Sequence, residues 1–115
     1  MTRKKIDVYE SSTHVFADLG LPNAEAHFIK AQIVAELYRL MRARKLTQIK
    51  VGELLGISQP EVSRLFKGHF REYSVDRLMT FLTSFDHDVE IISKPRSARR
   101  RGERGHISFR PLSAA

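Results

Sequence analysis

Two short helical patterns meet at Gly56-Ile57-Ser58 with only a tight turn between them, and this junction restricts the fold more than any other feature of the chain. Thr47 is a good N-cap for a helix through Val51, Leu54 and Leu55. Gly56 stops that helix, as glycine does where the backbone must turn left-handed. Ser58 opens the next helix, and Glu61 three positions later completes a capping box in which side chain and backbone satisfy each other's donors. Pro60 falls in the first turn, where its missing N–H costs little, and Gly68 ends the segment. Helices joined so closely must cross steeply and share one small core. Val51, Leu55, Ile57, Val62 and Leu65 are placed to fill it, and Gly52, lacking a side chain, lets the two helices approach. Gln59, Glu61, Ser63, Arg64 and Lys67 are left projecting from the second of them towards solvent.

The flanks predict further helices. Phe16, Leu19 and Leu21 form a short apolar group around Gly20, suited to a turn that docks on the body. Pro22-Asn23 opens a long helix in which Ile29, Ile33, Leu37, Leu40 and Met41 recur at intervals of three and four, one buried stripe running to about Arg44. After a loop at His69–Tyr73, Ser74 caps a helix carrying Val75, Leu78, Phe81, Leu82 and Phe85. Asp86-His87-Asp88 breaks it, and Val89-Glu90-Ile91-Ile92 reads as a short β-branched strand stopped by Pro95. The expectation is a mainly α bundle of four to five helices with one short C-terminal strand. It divides into a mobile segment 1–21, a domain 22–93 and a disordered basic tail 94–115.

Charge narrows the partners. The net charge is +7 and the isoelectric point about 10.1, but the surplus is concentrated. Residues 39–71 hold eight basic residues against Glu53 and Glu61, and residues from Lys94 onward hold seven against Glu103. Two separate positive regions suit a polyanion, most commonly nucleic acid; the plain alternative is solubility. The tail carries few large apolar residues to insert into a membrane. No stretch approaches the roughly 18 apolar residues of a membrane span. The basic N-terminus is followed by no apolar run, so a cytoplasmic protein without a secretory signal is expected. There is no cysteine, hence no disulfide framework and no thiolate site. The five histidines show no metal-ligand spacing, no cofactor is expected, and neither a glycine-rich phosphate loop nor a carboxylate cluster points to an enzyme.

A helix about 10–12 Å wide fits the major groove of DNA. The exposed set holds chemistry for reading bases there, an amide for adenine and a guanidinium for guanine or phosphate. The pattern Thr47-Gln48, Gly52, Leu55-Gly56-Ile57-Ser58-Gln59, Val62-Ser63 and Gly68 resembles the XRE (Cro/C1-type) helix-turn-helix family, with its lambda-repressor-like fold, across about residues 30–85. Phe16-Ala17-Asp18-Leu19-Gly20-Leu21-Pro22 and Asp88-Val89-Glu90-Ile91-Ile92 add a likeness to the XRE-type antitoxins of bacterial toxin–antitoxin operons, which bind a toxin and repress their own promoters. The resemblance implies that Gln59, Ser63 and Arg64 read bases, Arg64 on guanine or on phosphate, while Gln48, Lys50 and Lys67 hold phosphates. Pro60 stands where the family is often polar, and either meets a thymine methyl or only stiffens the helix start. Ser58 and Glu61 serve first as a cap, with cytosine reading by Glu61 the alternative. His69 beside Lys67 and Arg71 is a further phosphate candidate; Arg71 and Arg77 read as solvated surface.

One helix-turn-helix unit reads only a few base pairs, so a homodimer on a palindromic operator is expected. A lone strand leaves its backbone groups unpaired, and strand 88–93 pairing with its symmetry mate solves this, Val89 and Ile91 facing the helices and Asp88 and Glu90 facing water. The alternative is packing on its own subunit. The functional expectation is a sequence-specific repressor that is also the antitoxin of a cognate toxin. Its rival is a protein-interaction module without specific DNA binding.

Overall fold

The computed structural model describes residues 23–96 and 105–112. Expectations placed on residues 1–22, among them the docked turn around Gly20, lie outside the described residues. Four helices follow in order: α1 Asn23–Ala43, α2 Gln48–Leu55, α3 Gln59–Phe66 and α4 Val75–Thr83. α1 packs along α4, α2 packs against α3, and α1 also touches α3.

The expected stripe is the buried face of α1: Ile29, Ile33, Leu37, Leu40 and Met41 are all in the core, joined by Val34. Val51 and Leu55 from α2, Val62 and Leu65 from α3, and Leu78, Phe81 and Leu82 from α4 complete it, with Phe70 and Phe85 from the connections. At about 25 cal/mol per Å2 of apolar surface removed from water, each such side chain contributes about 1.5–3 kcal/mol.

Caps set the boundaries. α1 closes with a Schellman pattern, the Leu46 N–H donating to Met41 O at 2.9 Å and the Lys45 N–H to Arg42 O at 3.1 Å. This puts Lys45, not a glycine, at φ 55°. Thr47, Ser58 and Ser74 cap α2, α3 and α4, each side-chain oxygen accepting the backbone N–H three residues on. After α4, single-turn bonds from Ser84, Phe85 and Asp86 back to Phe81, Leu82 and Thr83 carry Phe85 into the core, where it is fully buried. The Arg44 guanidinium lies 5.5 Å over the Phe85 ring and donates to the Phe85 carbonyl, tying the end of α1 to the end of α4.

The segment beyond α4 departs from expectation. Among the described residues no strand forms, and 88–93 runs as irregular backbone. A strand exists through ladder bonds to a neighbour, and β-branched composition supplies none within one chain. Val89 packs against the core, but Ile91 is 72% exposed and does not face the helices. Residues 105–112 return to α1: the Ile107 N–H donates to the Glu25 carboxylate at 3.0 Å, and Phe109 packs against the core.

Candidate nucleic-acid interface

α2 is short because Gly56 ends it at φ 75°, and both the Gly56 and Ile57 N–H groups donate to the Gly52 carbonyl, at 2.8 and 3.0 Å. The turn folds back so closely that a Cβ on Gly52 would stand 2.6 Å from the Ile57 carbonyl oxygen. Glycine at 52 therefore admits the turn as much as the neighbouring helix, the Ser58 carbonyl carbon and the Val62 side chain both following at 3.6 Å.

This geometry fixes the start of α3. The Ser58 hydroxyl accepts from the Glu61 N–H, and the Glu61 carboxylate accepts from the Ser58 N–H at 3.0 Å and from its hydroxyl at 2.9 Å. The backbone bond from Ser58 is the chief cause of a Glu61 pKa below the usual carboxylate range, with the Ser58 hydroxyl adding to it. The Glu61 side chain is thus occupied as a capping partner.

The first residues of α2 and α3 meet at the open edge of this pair. Gln59 Nε2 donates to Gln48 Oε1 at 2.7 Å, and the Gln59 side chain lies on the exposed surface. That bond uses one N–H of Gln59 and leaves its carbonyl oxygen and second N–H available to a partner. Ser63, half-buried, and Lys67, exposed, follow at intervals of four on the same side of α3. Lys50, also exposed, reaches Glu53 at 3.4 Å. Both groups are well solvated, which leaves its charge available.

Arg64 is exposed but does not join Gln59 and Ser63 in one row. It sits with Glu61 on the flank of α3 that borders a hollow towards α4. Arg71 and Arg77, which read from the sequence as solvated surface, both line that hollow, as does His69. No local pattern signals this, because the three come together only when α4 packs. Behind the site, Tyr38 of α1 meets Phe66 edge-on with ring centroids 5.3 Å apart, and Arg42 lies 6.0 Å over the Tyr38 ring. This contact links α3 to the body. Among the described residues there is no group of three or more His, Asp or Glu placed to hold a metal ion, and no helix is long and apolar enough to cross a membrane.

The architecture matches known proteins. A family model described as a helix-turn-helix domain matches residues 15–93. A solved structure, named as a candidate XRE family transcriptional regulator, superposes with a TM-score of 0.67 at 31% sequence identity, covering 81% of this chain and 100% of that one. This chain is an XRE-type helix-turn-helix protein. A search of curated proteins finds no match. In this XRE-type protein α2 and α3 form the helix-turn-helix pair, and α1 and α4 are the scaffold on which it stands.

Proposed function

We propose that this protein binds duplex DNA as a transcriptional regulator, inserting α3 into the major groove as a sequence-specific repressor. The observation that carries the reading is the Gln48–Gln59 pair: two amides joined at 2.7 Å at the open ends of the helix-turn-helix, Gln59 exposed and Gln48 half-buried. A purely structural module has no use for an oriented amide at this place, whereas adenine offers it a matching donor and acceptor. In this reading Gln59 and Ser63 address bases, Arg64 a guanine or a phosphate, and Gln48, Lys50 and Lys67 address phosphates, Gln48 aided by the positive N-terminus of α2.

Selection of tight binders from a random duplex pool tests it. The expected product is a two-fold symmetric site, and Lys67→Gln is expected to weaken binding on every sequence while flattening the salt dependence by about one unit of slope. Equal affinity for all duplexes would instead favour the rival reading, a protein-interaction module.

The symmetric site requires two copies. Among the described residues the backbone of 88–93 has no ladder partner, and it exposes Ile91 and Ile92, at 72% and 77%. Antiparallel pairing with the same segment of a second copy satisfies both, with Val89 anchoring the segment to its own core. Replacing Ile91 and Ile92 by lysine is expected to convert a homodimer to monomer in sedimentation; a dimer that survives the change sinks the ribbon.

The finer role we propose is that of a cytoplasmic antitoxin repressing its own operon. Its support is the resemblance of residues 16–22 and 88–92 to XRE-type antitoxins. Expression beside the product of the adjacent reading frame is the test. Relief of that product's toxicity supports the role, and unrelieved or absent toxicity removes it.

A further inference from the structure

Between α3 and α4 the surface sinks into an open hollow of about 410 Å3. Arg64 enters it from α3, Arg71 from the connecting loop and Arg77 from the first turn of α4, with Tyr73 half-buried among them. None of the three guanidiniums forms an ion pair among the described residues. Arg77 is held in place by aromatic faces, its guanidinium 5.0 Å from the Tyr73 ring and 5.5 Å from that of Phe81. Of the two carboxylates in the hollow, Glu61 is hydrogen-bonded to the Ser58 cap and also feels the charges of Arg64 and Arg77, and Glu72 is exposed.

Positive charge is crowded further behind the rim. The Lys30 ammonium donates to the Arg71 carbonyl at 3.1 Å. Burial, and then the Arg71 charge, push its pKa below the usual lysine range. Three guanidiniums with the Lys30 ammonium behind them outweigh the two carboxylates, Glu61 and Glu72, and an anion in the hollow offsets the surplus. Planar forks contributed by three separate segments suit the oxygens of a tetrahedral phosphate better than a single carboxylate.

We propose that this hollow seats a phosphate group, with Arg64, Arg71 and Arg77 as its ligands. The phosphate comes either from the backbone of the bound duplex or from a free phosphorylated compound. The first source rests on the DNA-binding reading above, and the second stands without it. In both cases Glu72 opposes binding, and its removal strengthens it.

Two titrations of the full-length protein test the proposal. In the first, affinity for a short duplex of random sequence is followed against salt for wild type, Arg77→Gln, Arg71→Gln and Glu72→Gln. In the second, pyrophosphate is added while the backbone amide signals of residues 69–77 are followed by NMR. A duplex phosphate in the hollow is expected to lower the salt slope by about one in each arginine variant and to tighten binding in Glu72→Gln. A free phosphate is expected instead to give saturable shifts at 69–77 that weaken about tenfold in Arg77→Gln and strengthen in Glu72→Gln, with the duplex slope unchanged. Arg71→Gln, a loop substitution, keeps the test open if Arg77→Gln perturbs α4. Unchanged slopes together with no saturable shift overturn the proposal. Failure of the wild type to bind any duplex defeats the DNA-binding reading alone, since the pyrophosphate titration still decides the hollow.

Discussion

Gln48 and Gln59 stand eleven residues apart in the chain and meet amide to amide at 2.7 Å, the first residue of α2 accepting from the first residue of α3. If Gln48 orients Gln59 for a base, the two act as one unit on DNA. Gln59→Ala is expected to cost about 1–3 kcal/mol on the preferred site and to relax preference at one base position. Gln48→Ala should relax the same position, and the double variant should lose less than the sum of the two, with a coupling of about 0.5–3 kcal/mol. Competition binding across single-base variants of the site measures this. Additive losses at different positions would separate the residues.

Gly52 and Gly56 are needed for different reasons, and substitution distinguishes them. A Cβ at Gly52 meets a backbone carbonyl at 2.6 Å, so Gly52→Ala must shift the turn and is expected to cost about 1–3 kcal/mol. At Gly56 the space is open but φ is 75°, and alanine there costs about 1–2 kcal/mol from the left-handed backbone alone. Asparagine tolerates that conformation, so Gly56→Asn should recover part of the loss while Gly52→Asn should not. Urea unfolding of the four variants gives the comparison.

Lys45 occupies the left-handed position that ends α1, at φ 55°, with an exposed side chain. Lys45→Gly removes the steric penalty, offset in part by the greater freedom of glycine in the unfolded chain. A net gain of about 0.5–1 kcal/mol is expected, visible as a higher Tm. A lower Tm would mean that the lysine side chain contributes something its exposure conceals.

Glu36 is buried, and Arg39 grips it through two bonds at 2.8 and 2.9 Å. The hydrogen bonds from Arg39 lead the causes that hold its pKa below the usual carboxylate value, opposed by burial and assisted by the charges of Arg39 and His87. A carboxyl whose folded pKa lies below its unfolded one contributes stability that is complete above the unfolded value, about 4.3, and is lost as pH falls through the folded one. Unfolding free energy is therefore expected to drop on acidification from pH 5 downward, and to drop less in Glu36→Gln. Glu61, shifted the same way by its Ser58 cap, supplies part of what remains. Denaturant titrations at a series of pH values check this, and identical profiles for the two proteins would remove Glu36 from the account.

What the residues reveal in advance follows the range of the interaction. Thr47, Ser58 with Glu61, and Ser74 act over three positions, and the α1 stripe repeats every turn; both kinds of signal are complete within a short window. Lys45 carries no such signal, because the pattern that closes α1 usually announces itself by glycine. Phe85 fits the spacing of the last helix and is buried, but α4 stops at Thr83 and a tighter turn delivers the ring. Composition marks 94–115 as tail, yet Ile107 finds Glu25 across 82 residues and Phe109 finds the core, contacts that no local window contains. On the candidate site, the exposure of Gln59 and Lys67 was legible from the α3 stripe, whereas Arg64's place beside Arg71 and Arg77 depends on how α4 packs.

The two helix pairs share one core, and Tyr38 of the first meets Phe66 of the second edge-on. The segment 88–93 leaves the molecule from the α1–α4 pair, by way of Phe85 and Arg44. A dimer joined there would take the distance between its half-sites from one pair and the letters it reads from the other. Spacing and spelling could then drift separately, each altered by substitutions that leave the other intact.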